Sequence, residues 1–359
     1  MVCQAGKCCV AKGVPQQARA KLGTLELGRF IAASLVALFH ASWAVGQLGA
    51  HPRPAPGGLL ALLPLPAIQY FFVLSGFVML HAHRDDIGHP YATLRFWWRR
   101  ACRIYPAYWL ALAGAMLLWH AALRPALLAP LVTLWPGAHD EWVAPAWTLR
   151  YEIGFYLLFG LCLLPGLARW VLGLWALAIL ARLAWPAGLG PQAAGGLFTS
   201  TDLLFFGGLL AAWLYHRHNL RPPACLVLLG LGIAFTLPGA LASFGNAPLD
   251  KALKAGCAAI GFGGVILGLA GLERCGALRT GQLALWLGQL SYPLYILHMV
   301  ILALLLAWGK GRLRLGAAAQ PWALLAVILL LYALCAAATF WFDQPVQRWL
   351  RGRKNCPRR

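Results

Sequence analysis

Of the 359 residues, 61% are hydrophobic and only 11% charged, with a mean hydropathy of +0.68, where soluble domains carry roughly 25% charged residues. The long continuous apolar runs exclude a water-soluble enzyme, a disordered chain and an outer-membrane barrel, whose strands alternate, and leave an integral membrane protein. The formal charge of +20 does not point to nucleic acid, because Lys and Arg are scattered between apolar runs and build no basic face interleaved with aromatics.

Hydrocarbon satisfies no backbone polar group, so helices do the spanning and the expected fold is all-α and polytopic. A helix needs about 20 apolar residues to cross about 30 Å, and by that rule ten segments qualify: 27–48, 66–83, 103–122, 147–164, 168–185, 200–215, 223–242, 252–272, 283–307 and 319–342. The first is not a cleavable signal, since 26 polar or mixed residues precede it and no small-residue cleavage site follows promptly. Pro and Gly clusters such as 51–58 and Pro136-Gly137 read as loops, and the apolar stretch 125–135 is too short to span and reads as interfacial or re-entrant. Ten spans put both termini on one side, which then holds 21 of the 30 Lys and Arg residues and is therefore cytoplasmic. The expected organisation is a polar cytoplasmic tail over 1–25, a membrane domain over 26–345 and a basic cytoplasmic tail over 346–359. Ten cysteines include no CxxC pair and no Cys/His ligand spacing, so no metal site is expected. The cluster Cys3, Cys8, Cys9 reads as part of a polar tail, with metal binding or palmitoylation as alternatives.

Polar groups inside hydrocarbon cost a few kcal/mol and tend to mark function. In the first segment, Arg29 and His40 lie eleven residues apart, about 20° off one helical face and about 16 Å along the axis. Glu26, three residues before Arg29, can pair with it. A snorkelling Arg with a hydrogen-bonded buried His is the alternative for this stripe. In the second segment, Ser75-Gly76 permits close helix approach or a local break. Arg100 and Arg103 set two guanidinium groups one turn apart, suited either to phosphate oxygens or merely to the positive-inside bias. Trp147-Thr-Leu-Arg-Tyr-Glu152 leaves Arg150 and Glu152 on an apolar segment, where each needs a partner or a wet cavity. Ser291, Tyr295 and His298 share one face of the ninth segment beside Pro293. Asp202 and Asp343 read as helix caps or interface partners.

Taken together, Arg29-x10-His40, Phe71-Phe-x-x-Ser-Gly76, Arg100-x-x-Arg103, Trp147-Thr-Leu-x-x-Glu152 and Ser291-Tyr-x-Leu-Tyr-x-x-His298 resemble, in order, the motifs of the acyltransferase-3 family of bacterial membrane O-acyltransferases. The resemblance covers nearly the whole chain after the tail. It is nearest to stand-alone exopolysaccharide-modifying members, with Glu26 where the family usually has Asp. It implies the acyltransferase-3 fold in the bacterial inner membrane. It also implies transfer of an acyl group, often acetyl, from cytoplasmic acyl-CoA to a sugar hydroxyl of an exopolysaccharide, cellulose or O-antigen type of polymer. Acyl-CoA is then a donor substrate and no cofactor is bound. The other partners implied are the lipid bilayer, a polysaccharide or lipid-linked sugar acceptor, and proteins of polysaccharide synthesis or export. On this reading His40 is general base or transient acyl carrier, with Arg29 and Glu26 completing the catalytic set. Arg100, Arg103 and Ser75 bind the donor, and Glu152, Trp147, Tyr295, His298 and Ser291 line a channel or bind the acceptor. The competing readings are a transporter or flippase of a lipid-linked sugar, and a structural subunit of a polysaccharide synthase.

Overall fold

The computed structural model describes residues 21–51, 56–119, 125–135, 142–185, 197–241 and 247–352. The cysteine cluster at 3, 8 and 9 lies outside them. The described residues form twelve α-helices: α1 (Gly23–Gln47), α2 (Pro64–His83), α3 (Pro90–Trp119), α4 (Pro125–Thr133), α5 (Ala146–Cys162), α6 (Ala168–Ala184), α7 (Asp202–Arg217), α8 (Pro222–Leu241), α9 (Pro248–Arg274), α10 (Gln282–Gly309), α11 (Gln320–Ala337) and α12 (Gln344–Gly352). A π-helical turn, Ala338–Asp343, joins the last two. The extended backbone pairing found among the described residues is one bridge, Gly49 with Leu315, which ties the ends of α1 and α10.

Ten of these helices coincide with the ten apolar segments expected, and among the described residues six stretches are long and apolar enough to cross a membrane by themselves. The boundaries agree within a few residues except for α3, which begins at Pro90 rather than at 103. Hydropathy underestimates it because Arg95, Arg99 and Arg100 depress the average while remaining good helix formers. The Arg100/Arg103 pair therefore lies inside a long helix and not at its start. The short apolar stretch after α3 is α4, nine residues long, about 14 Å and too short to span. Three aromatic donors of α3 satisfy carbonyls that the end of α4 leaves open: Tyr105 Oη to Thr133 O (2.6 Å), Tyr108 Oη to Leu131 O (2.5 Å) and Trp109 Nε1 to Val132 O (3.0 Å).

Packing follows the small residues. Lipid tails are as apolar as leucine, so helices in a membrane associate by close van der Waals contact where side chains are absent. A Cβ placed on Gly208 of α7 would lie 1.9 Å from Val73 O of α2, and one on Gly76 would lie 2.2 Å from Phe205 O. Ser75-Gly76 thus serves close approach within an unbroken α2. The antiparallel pair α8 and α9 meets in the same way, with Gly232 against Gly261 and Gly268 against Cys225. Glu26 beside Gly288, His40 beside His298 and Leu48 beside Gly309 show that α1 and α10 run parallel and adjacent.

The start of α1 is capped from afar. Glu273, at the end of α9, accepts the Gly23 N–H at 2.9 Å and the Thr280 hydroxyl at 2.8 Å on Oε1, and the Thr24 N–H at 2.9 Å and hydroxyl at 2.5 Å on Oε2. A carboxylate at a helix N-terminus satisfies orphan donors and complements the helix dipole.

Candidate active site

Helices α1, α2, α3, α5 and α10 converge on a cavity of about 280 Å³. Its wall carries Glu26 and Arg29 from α1, Ser75 from α2, Arg100 and Arg103 from α3, Glu152 from α5, and Ser291 and Tyr295 from α10. Eight of the eleven residues singled out in the sequence are therefore gathered around one space. Lys21 adds a further cation, and Leu74, Phe77 and Val78 of α2 supply an apolar side.

The polar groups of this wall are held by neighbours. Arg29 Nη1 donates to Glu26 Oε2 at 3.0 Å, the pairing that the three-residue spacing predicts, and Gly288 gives the Glu26 carboxylate room against α10. Ser75 Oγ donates to Glu152 Oε1 at 3.1 Å, and the Tyr156 hydroxyl donates to the same oxygen. Tyr156 lies one turn after Glu152 on the same face, a spacing that brings the two side chains together. Ser291 is fully buried and donates to Gly288 O of its own helix at 2.7 Å, so its hydroxyl is committed. Its neighbour Tyr292 reaches across to α3 and donates to Ile104 O at 2.6 Å.

Arg100 is positioned on two sides. Its guanidinium lies 5.6 Å from the ring centre of Phe96 and 5.7 Å from that of Tyr156, an arrangement that attracts a cation. Its Nη2 lies 3.3 Å from Nε2 of His83, whose Nδ1 is 2.8 Å from Asp86. Neither His83 nor Asp86 was legible as part of the site, since one is the last residue of α2 and the other sits in the turn that follows.

His40, His298 and Trp147 lie outside this wall. Trp147 is part-exposed and meets Tyr151 edge-on. The two histidines meet each other: His298 Nε2 is 3.2 Å from His40 Nδ1, His40 Nδ1 is 2.9 Å from Val36 O, and His298 Nδ1 is 3.1 Å from Leu294 O. Both carbonyls can only accept, so the network assigns the proton of each ring to Nδ1. His40 Nδ1–H is then shared between Val36 O and His298 Nε2. That leaves His40 Nε2 as a lone pair able to take a proton from an incoming group. The partner of His40 is thus His298 across the helix interface, while Arg29, on the same stripe, pairs with Glu26.

Tyr295 stands between the two regions. It lines the cavity, its hydroxyl is 2.9 Å from Thr148 Oγ1, and its ring centre is 6.2 Å from that of His298. Thr148 donates to Pro145 O at 2.9 Å, so Tyr295 is the donor to Thr148.

Of the acids set aside as structural, Asp202 is a turn and interface anchor: it accepts from Thr199 N at 2.9 Å and from Trp175 Nε1 of α6 at 3.3 Å. Asp343 accepts from Gln347 Nε2 at 2.7 Å.

Residues 22–342 match the family described as "Acyltransferase domain". The chain is 28% identical over 314 residues to the exopolysaccharide production protein ExoZ of Rhizobium meliloti (strain 1021), a match covering 80% of this chain and 90% of that protein. No solved structure gives a significant match.

Proposed function

The chain belongs to this acyltransferase family, and from that premise we propose that it is an inner-membrane O-acyltransferase moving an acetyl group from cytoplasmic acetyl-CoA to a sugar hydroxyl of an exported polysaccharide. The relative's name, an exopolysaccharide production protein, supports the acceptor class. On this reading the chain crosses ten times with both termini cytoplasmic, as the Lys and Arg bias suggests, so that Lys21 and the neighbouring start of α1 lie at the cytoplasmic face. The observation that carries the reading is the cavity itself: Lys21, Arg29, Arg100 and Arg103 line it together with apolar residues of α2, and Tyr295, which also lines it, has its ring centre 6.2 Å from that of His298.

Arg100 and Arg103 hold the phosphates of the donor by charge-assisted hydrogen bonds, and the apolar side takes its pantetheine arm. His40 Nε2 removes the proton of the acceptor hydroxyl as that oxygen attacks the thioester carbon. The C–S bond breaks, and the proton passes to the departing thiolate. Ser75 and Tyr156 fix Glu152, and with it the path between donor and histidine. Ser291 keeps α10 in register, and Trp147 sits at the acceptor end.

The test is the acetyl content of the polymer in the producing cell, at matched membrane expression, for wild type, His40→Ala and Arg103→Ala. His40→Ala is expected to lower acetylation by about 10²- to 10⁴-fold, the range for a lost general base, with polymer yield unchanged. Unchanged acetylation in both variants would overturn the reading. A fall in polymer yield with acetylation intact would favour transport or assembly.

A further inference from the structure

We propose that Asp86 and His83 are positioning residues for the donor site, acting through Arg100: they form a hydrogen-bonded chain that aims its guanidinium into the cavity. The proposal rests on Arg100 being a donor ligand.

The chain is built in a fixed sense. Asp86 uses both oxygens, Oδ2 toward His83 Nδ1 at 2.8 Å and Oδ1 toward Arg95 Nη2 at 3.2 Å. Because a carboxylate only accepts, His83 carries its proton on Nδ1 and presents a lone pair at Nε2. That lone pair takes Arg100 Nη2–H at 3.3 Å. The imidazole has no room to turn away. It is buried, edge-on to Phe96 at 5.0 Å between ring centres, with Phe159 at 6.5 Å. Phe96 also lies under the guanidinium, so one ring braces both members. Arg100 keeps few free orientations: one edge is engaged by His83, one face by Phe96 and Tyr156, and what remains lines the cavity. A flexible side chain that is already oriented loses less entropy when a phosphate arrives. Losing a hydrogen bond that orients a charged group is expected to weaken donor affinity about tenfold, about 1.4 kcal/mol.

The experiment is acetyl-CoA binding to the full-length protein in detergent, by calorimetry, with a thermal melt of each variant. Arg100→Ala is expected to weaken binding at least about tenfold, and His83→Leu about tenfold. His83→Gln offers an amide N–H to Asp86 and an oxygen to Arg100, and is expected to recover binding to within about threefold. Asp86→Ala leaves the ring in place but frees its tautomer, and is expected to lose about threefold, which supplies a second arm should the Leu variant fail to fold. In the double variant, His83→Leu is expected to add nothing to Arg100→Ala, because both changes remove one interaction. The proposal is overturned if His83→Leu and Asp86→Ala bind as wild type while Arg100→Ala does not. It is equally overturned if Gln fails to rescue, or if the two losses add. If Arg100→Ala itself binds as wild type, the donor reading of Arg100 fails and takes the proposal with it.

Discussion

The cavity enclosed by α1, α2, α3, α5 and α10 and the seam formed by α7, α8 and α9 solve opposite problems with the same kind of helix. Around the cavity, long polar side chains reach between helices, as in Ser75 to Glu152 and Tyr292 to Ile104. Along the seam, side chains are missing: a Cβ on Gly207 would sit 2.7 Å from Ala259 O, and one on Gly268 2.7 Å from Cys225 O. Backbone contact gives cohesion where water cannot supply a hydrophobic drive, whereas polar bridges hold helices apart and keep a space between them. If the seam holds the fold and the cavity performs the proposed chemistry, damage to each should leave a different signature.

The largest effect expected in sharpening this contrast comes from Glu152→Ala. It strands the Ser75 and Tyr156 hydroxyls and should lower kcat/KM for acetyl transfer by about 10- to 100-fold, the cost of charged hydrogen bonds, with the melting temperature little changed. A matching loss of thermal stability would show that the cavity too is mainly a scaffold. Next is Gly208→Val, which forces a branched side chain against Val73 O. It should destabilise by about 3 kcal/mol, read as lower yield and an earlier melt in detergent, while the KM of the surviving molecules stays at the wild-type value. A changed KM with normal stability would break the division between the two regions. The smallest is Glu273→Gln, which keeps the shape of the α1 cap and loses its charge. It should cost about 1 kcal/mol, seen as a melt lowered by a few degrees with kcat unaffected.

Local signals were readable in the sequence and long-range ones were not. Ten apolar segments located ten helices because hydropathy is a property of a continuous window, and it failed only at the start of α3, where arginines mask a helix that begins thirteen residues before the expected 103. The pairing of Glu26 with Arg29 was legible because helical spacing fixes which side chains meet. The Ser75–Glu152 contact spans 77 residues, and the His40–His298 contact spans 258. No periodicity encodes such meetings, although each of the four residues stood out singly as polar in an apolar segment. The Asp86–His83–Arg100 chain was hidden for another reason: His83 ends α2 and Asp86 lies in the turn after it, where charged residues are ordinary.

The cap on α1 bears on the order in which the protein is assembled. Helix α1, which carries His40, is made well before Glu273, which closes its N-terminus and is separated from Gly23 by 250 residues, and Gly288 and His298 come later still. Until α9 and α10 have been inserted, α1 lacks both its end cap and the ring that meets His40. A chain released before that point keeps only Val36 O of its own helix as partner for His40, and on the proposed mechanism competence for transfer waits for α10.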